Sequence, residues 1–247
     1  MYSEDDPWAP QLRQHTPARI AQGRSGSSLR TADWLRFAAD HAQARDAVHL
    51  PLDVAALAAE LSSGGWRPII SVQSQASTRE VYLRRPDLGR RLSTPIDAAT
   101  EPTDLAVLLA DGLSAASLRH APDLLNALRL DLADTLSWAP LVIATQARVA
   151  LGDEIGALMK ARVALVLIGE RPGLSSPDSL GAYLTFAPSV GRSDAQRNCV
   201  SNIRQGGLGL APTDAARRIA WLLRESLRRQ LSGVALKDDS ESVLMQG

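Results

Sequence analysis

Apolar and polar positions along this chain fall into two regimes. In the first hundred or so residues the apolar positions follow a helical period. Leu35, Ala38, Ala39 and Ala42 lie three and four apart, and Trp34 and Phe37 extend the same face, which predicts a helix capped by Thr31. A second helix is predicted from Asp53, a short polar cap, to Gly64-Gly65, where glycines end it. Around residues 67–74, Pro-Ile-Ile-Ser-Val-Gln-Ser reads as a short strand. Residues 1–30 are rich in Pro, Ser, Gly, Arg and Gln, and the stretch from Gln22 to Ser28 carries no periodicity, so an arm is expected there.

From about residue 103 the pattern changes to short unbroken apolar runs: Leu105 to Ala110, Leu141 to Ala144 and Val163 to Ile168. Each has the length of a strand buried on both faces. Helices are predicted after the first two, over about 121–136 and from Asp153 to Lys160. A further strand is expected over Ala182 to Ala187. The last helix runs from Thr213 to about Leu231, with Ile219, Leu222, Leu223, Leu227 and Leu231 as its apolar face and Gly233 closing it. Strands alternating with helices imply βαβ units and a mainly parallel sheet. The expected organisation is an arm and helical region over 1–100, an α/β domain over 101–236 and a polar, flexible tail over 237–247. Ligands of such sheets sit beyond the carboxyl ends of the strands. A site is therefore expected in the loops that begin at Asp111-Gly-Leu-Ser, at Thr145-Gln-Ala-Arg-Val and at Gly169-Glu-Arg-Pro-Gly.

Composition narrows the chemistry. The 247 residues carry 27 basic and 27 acidic side chains, a balance that gives no electrostatic case for nucleic acid or an anionic membrane as partner. Lys160 and Lys237 are the only lysines, and arginine suits interfaces because its fork pairs bidentately and is weakly hydrated. A single cysteine, Cys199, excludes an internal disulfide and a cysteine-rich metal site. No apolar stretch reaches the length of a membrane helix, and the first residues lack the pattern of a secretory signal, so a soluble intracellular protein is expected. There is no phosphate-binding G-x-x-x-x-G-K-[ST], no G-x-S-x-G elbow, and no metal-ligand spacing among His15, His41, His49 and His120. Gly206-Gly-Leu-Gly-Leu-Ala does not match a dinucleotide fingerprint. A self-contained hydrolase or metalloenzyme finds no support.

Three segments are unusual in composition. In Val166-Leu-Ile-Gly-Glu-Arg-Pro-Gly-Leu a buried strand meets a charged pair and then Pro172-Gly173, a pair that predicts a tight turn holding Glu170 at the sheet edge. The bland alternative is a Glu170–Arg171 pair on the surface. In Arg197-Asn-Cys-Val-Ser-Asn-Ile-Arg-Gln-Gly-Gly-Leu, polar groups surround Cys199 and paired glycines would let a backbone approach a ligand; taken alone, Cys199 reads as a small core residue. In Tyr82-Leu-Arg-Arg-Pro-Asp-Leu-Gly-Arg-Arg-Leu, four arginines surround a Pro-Asp turn, which would bind phosphate or carboxylates, seat a partner subunit, or simply face water.

Together these segments resemble one family, the small (light) chain of ethanolamine ammonia-lyase. The resemblance rests on Thr16-Pro-Ala-Arg-Ile-Ala-Gln-Gly-Arg-Ser-Gly, Leu29-Arg-Thr with Leu35-Arg-Phe-Ala-Ala-Asp-His, and Tyr82 to Leu92. It continues with Ala110-Asp-Gly-Leu-Ser, Asp153-Glu-Ile-Gly, Gly169-Glu-Arg-Pro-Gly-Leu and Cys199-Val-Ser-Asn-Ile-Arg-Gln-Gly-Gly, all in family order from about residue 16 to 231. The resemblance implies a Rossmann-like α/β domain with a helical N-terminal extension. It implies adenosylcobalamin held base-on at the interface with a catalytic large subunit, in a hetero-oligomer of α6β6 type that converts ethanolamine to acetaldehyde and ammonia. The family's cobalamin-contacting positions fall on Val149, Glu170 and Cys199, while no catalytic residue and no metal ligand falls on this chain. Relatives that enter bacterial microcompartments resemble one another in a longer N-terminal extension; with about fifteen residues before the first family motif, this chain is expected in the cytoplasm, with a bacterial microcompartment as the alternative. Two other classes stay open on the residues alone: a nucleotide- or phosphate-using enzyme anchored by the arginine segment, and a purely structural or regulatory partner protein.

Overall fold

The three unbroken apolar runs form the middle of a six-stranded sheet in the computed structural model, which describes residues 7–16, 18–20, 22, 24–97, 99, 101–132, 135–206 and 209–240. Pro17, Ala21 and Gly23 of the expected arm, Gly207 of the glycine pair and residues 241–247 of the expected tail lie outside the described residues. A short helix α1 (Ala9–Arg13) and a small hairpin of β1 (Arg24–Ser25) and β2 (Ser28–Leu29) precede helices α2 (Thr31–His49) and α3 (Val54–Ser63). Then come β3 (Ile69–Gln73), α4 (Arg79–Arg84), β4 (Thr103–Ala110), α5 (Ala121–Leu132), β5 (Leu141–Thr145), α6 (Leu151–Leu158), β6 (Ala161–Gly169), β7 (Leu180–Phe186), β8 (Arg197–Ile203) and α7 (Pro212–Arg229).

The sheet order is β3-β5-β4-β6-β7-β8. β3, β5, β4 and β6 are mutually parallel, and β7 and β8 continue the sheet antiparallel, so the sheet is mixed with a parallel majority. Its outer strand β3 comes from residues 69–73, well before residue 101. One face is covered by α3, α5 and α7: Leu124, Leu125, Leu128 and Leu132 of α5 and Ile219, Leu222 and Leu223 of α7 pack on Leu105, Val107, Leu109, Val163, Leu165 and Leu184. Each such side chain, removed from water, contributes about 1.5–3 kcal/mol. On the other face α6 lies over β4 and β6 through Leu151, Ile155 and Met159. The helix after β4 and the helix after β5 thus lie on opposite faces, which makes the carboxyl ends of these neighbouring strands a topological switch point.

Several local expectations need correction. Thr31 is the first residue of α2 rather than its cap; Arg30, extended and without a side-chain cap bond, precedes it. The apolar face read from its spacing is exposed: Trp34, Leu35 and Phe37 are 56%, 55% and 43% accessible, and it is Asp33 that turns inward. In contrast α3 is capped as read, with Asp53 accepting from Ala56 N at 2.9 Å. α5 spans Ala121–Leu132, residues 133–134 of the expected helix lying outside the described residues, and α7 is closed by Gln230 in the left-handed conformation (φ 57°) rather than by Gly233, which opens a separate 3-10 turn. The segment around Cys199, read as a loop, is strand β8. No helix among the described residues is long and apolar enough to cross a membrane.

Candidate functional site

Strands β7 and β8 have two unlike faces. Ala182, Leu184, Val200 and Ile203 point into the core shared with α7. Because side chains alternate across a strand, Gly181, Tyr183 and Cys199 project from the opposite face, which α6 covers chiefly over β4 and β6. The result is an open shelf at the carboxyl end of β6. All three residues singled out for a cofactor, Val149, Glu170 and Cys199, border it.

Glu170 follows the last residue of β6. Its N–H donates to Ser179 O at 3.0 Å, and its Oε2 accepts from Asn202 N at 3.1 Å, so both the backbone and the carboxylate are tied to the β7–β8 end of the sheet. The Pro172-Gly173 turn that was expected to hold it does not form: Gly173 lacks a positive φ, and instead its N–H donates to Ser176 O at 3.1 Å while its carbonyl accepts from Ser176 N at 3.3 Å. The carboxylate lies over Gly181, where an added Cβ would meet Glu170 Oε1 at 2.9 Å and Tyr183 Cε2 at 3.2 Å.

Val149 is set in place from the neighbouring strands. Asp111, at the end of β4 and 3% exposed, accepts from Gln146 N at 2.9 Å and from Ala147 N at 3.1 Å. These two bonds hold Gln146 at a positive φ of 56°, a conformation that costs a non-glycine residue about 1 kcal/mol or more. Burial raises the Asp111 carboxyl above its ordinary range; the Gln146 and Ala147 amides and the Arg79 guanidinium, 3.6 Å away, oppose the rise. Arg79 also donates to Gly112 O at 2.7 Å and to Val48 O at 2.6 Å, linking the end of α2 to the switch point.

Cys199 pairs across the ladder with Tyr183, whose hydroxyl donates to the sulfur. The cysteine is exposed, against its reading as a core residue. Burial of the thiol's flank, and then the nearby Glu170, hold its pKa above the ordinary range despite the Tyr183 hydrogen bond. Tyr183 stays protonated, pushed up first by burial and then by Cys199 and Glu170. Val149, Glu170 and Tyr183, together with Tyr82, Arg148 and the Gly112–Leu113 turn, surround a cavity of about 240 Å³; Cys199 joins it through Tyr183 rather than as wall. A larger cavity of about 710 Å³ lies between α2 and residues 174–178, away from these positions.

The arginine segment splits. Arg84 pairs with Glu80 at 3.0 Å and Arg85 with Asp87 at 2.7 Å, whereas Arg90 and Arg91 have no carboxylate partner among the described residues. Tyr82 and Arg148 fall in segments marked in the sequence but were not expected as site residues, and Tyr183 was not marked at all. Alternation along β7 carried the signal for Tyr183, a polar-tipped residue between Ala182 and Leu184 of the core.

Residues 5–237 match the family model described as ethanolamine ammonia-lyase light chain (EutC). The chain is 53% identical to the ethanolamine ammonia-lyase small subunit of Xanthomonas campestris pv. campestris, over 97% of this chain and 90% of that one. It is 54% identical to the protein of the same name from Bradyrhizobium diazoefficiens, over 93% of this chain and 90% of the relative. With that of Pseudomonas aeruginosa the identity is 51%, over 99% and 92%.

Proposed function

The chain belongs to the ethanolamine ammonia-lyase light-chain family, and from that membership we propose that it is the small subunit of an adenosylcobalamin-dependent ethanolamine ammonia-lyase. In this reading it covers the corrin at the interface with a catalytic large subunit, in an α6β6-type assembly in the cytoplasm. The complex converts ethanolamine to acetaldehyde and ammonia. The observation that carries the reading is the convergence of Val149, Glu170 and Cys199, from three separate segments, on one open shelf at the carboxyl edge of the sheet.

The shelf's chemistry suits a corrin. A corrin is a broad apolar disc rimmed with neutral amides, so it needs acceptors, backbone groups and apolar contact rather than a charged pocket. An ionised carboxylate offers about four acceptor positions, of which Asn202 N takes one of Glu170's, leaving others for amide donors. Val149 brings a backbone segment that Asp111 holds in place, and Tyr183 and Ile168 supply apolar surface. When bound, the cofactor supplies the radical by cobalt–carbon homolysis; the tasks of this chain are binding, orientation and exclusion of water. It contributes no catalytic residue.

The test is co-expression with a large subunit, followed by an ammonia assay with ethanolamine and adenosylcobalamin. Ammonia release that needs both chains and the cofactor is expected. A properly folded chain that associates with no large subunit would overturn the reading.

A further inference from the structure

We infer that Arg90 and Arg148 form a subsite for the phosphodiester in the nucleotide loop of the bound cobalamin, an inference that rests on the cobalamin reading above. A second cavity, of about 370 Å³, adjoins the shelf and shares Val149 and Arg148 with it. Arg90, Arg148, Arg192 and Arg197 line this cavity, and Asp194 is the one acid in its wall. Arg197 is already neutralised by the buried carboxylate of Asp153 at 2.6 Å, and Asp194 leans on the same guanidinium at 3.4 Å. Arg192 donates to Ala187 O and has no carboxylate. Uncompensated positive charge therefore collects beside Val149.

Local structure builds this arrangement from the one sequence segment that the shelf leaves unexplained. Arg148 N donates to Gly89 O at 2.8 Å, and a Cβ at Gly89 would come within 2.8 Å of Arg148 Cγ and 3.1 Å of Tyr82 Cε2. Only a glycine lets the 88–90 turn rest on Arg148, and that contact sets Arg90 next to it at the cavity. The Arg148 guanidinium stacks 4.2 Å over the Tyr82 ring. One nitrogen donates to Tyr82 O at 3.3 Å, while the buried Nε has no acceptor. A fork fixed in orientation by its stack and its bond to Tyr82 O, its other terminal nitrogen uncommitted among the described residues, beside a second free guanidinium is the arrangement that takes a phosphate oxyanion. The amides of cobalamin are neutral, and its nucleotide loop carries one phosphodiester. A negative charge is thus available next to the corrin edge where the uncompensated arginines lie. Free inorganic phosphate shares this chemistry and is the other source to be distinguished.

The experiment uses the complex of small and large subunits, with binding of cyanocobalamin and of dicyanocobinamide, which lacks the nucleotide loop, measured by titration. Arg90→Gln, at an exposed position, should weaken cyanocobalamin binding roughly tenfold and leave dicyanocobinamide unchanged. Arg148→Gln, which also borders the shelf, should cost cyanocobalamin more affinity than it costs dicyanocobinamide, and Arg85→Gln, whose charge Asp87 already neutralises, should change neither. Equal loss for both corrinoids, or no loss for either, overturns the subsite while leaving the cobalamin reading intact. Inorganic phosphate binding that depends on Arg90 while both corrinoids bind as before assigns the cavity to a free anion and overturns the cofactor source. Weaker subunit association with unchanged corrinoid binding would instead give the arginines to a carboxylate of the partner. A wild-type complex that binds neither corrinoid removes the cobalamin reading and this inference with it.

Discussion

The carboxylate of Glu170 rests on the bare backbone of Gly181, with 2.9 Å between Oε1 and the place a Cβ would occupy. The contact is specific to glycine, yet the atom in the way is the far end of a flexible side chain. Gly181→Ala should therefore turn Glu170 off the shelf without unfolding the strand. Expected outcomes are a thermal midpoint within a few degrees of wild type and a clear loss of cobalamin affinity in the complex, read by titration. Unchanged affinity would mean that the position of Glu170 over Gly181 does not matter to the ligand.

Replacing Glu170 itself separates charge from shape. Glu170→Gln retains an acceptor for Asn202 N but removes the second carboxylate oxygen; Glu170→Ala loses both. A hydrogen bond to a charged group is worth about 1.5–3 kcal/mol, so Glu170→Ala should weaken cobalamin binding roughly tenfold or more. Stability should fall by less than about 1 kcal/mol, because Asn202 is exposed and water replaces the lost acceptor. Equal cobalamin affinity for wild type and Glu170→Ala would count against a corrin on this shelf.

Stability is far more sensitive at Asp153. Its carboxylate receives both arms of Arg197, at 2.6 and 2.7 Å, and each side chain is 2% exposed, so α6 is locked to β8 by a bidentate buried pair. Removing one partner leaves the other charge buried. Asp153→Ala should cost about 3–5 kcal/mol in urea unfolding, and the double change Asp153→Leu with Arg197→Met should recover much of it. Equal losses for the single and double variants would show that packing, not the stranded charge, sets the cost.

The same residues show how far the sequence reveals the fold and the site. β4, β5 and β6 are legible because both of their faces are apolar, so their runs are unbroken. β8 is not, because one face meets the core through Val200 and Ile203 while the other carries Cys199 and Ser201 on the shelf, and the mixture reads as a polar loop. Periodicity gives the apolar face of α2 without saying what it meets, and Trp34 and Leu35 on that face stay more than half exposed. Glu170 could be located from its place after a buried strand. Its anchor could not, since the bond from Asn202 joins residues 32 positions apart. The Arg148–Tyr82 stack is likewise a product of tertiary structure, 66 positions apart in the chain.

Cys199 gives a test of the shelf's electrostatics that needs no ligand. Loss of water around the sulfur and the nearby Glu170 charge raise the thiol pKa, and the Tyr183 hydroxyl, by donating to the thiolate, lowers it in part. Thiolate is the reactive form, so alkylation of the free small subunit by iodoacetamide should be slow at neutral pH and should accelerate only above the ordinary cysteine range. The sign for stability follows from the same shift. A folded-state pKa above the unfolded value means that the native chain holds this proton more tightly; the contribution is complete below the unfolded pKa and is lost as pH rises through the folded one. Tyr183→Phe removes the one influence that lowers the pKa, so its rate profile should move further toward high pH. A profile that moves down instead would mean that the hydroxyl does not donate to the sulfur and that Tyr183 acts by excluding water. A wild-type profile at or below the ordinary range would show that neither burial nor Glu170 governs the thiol.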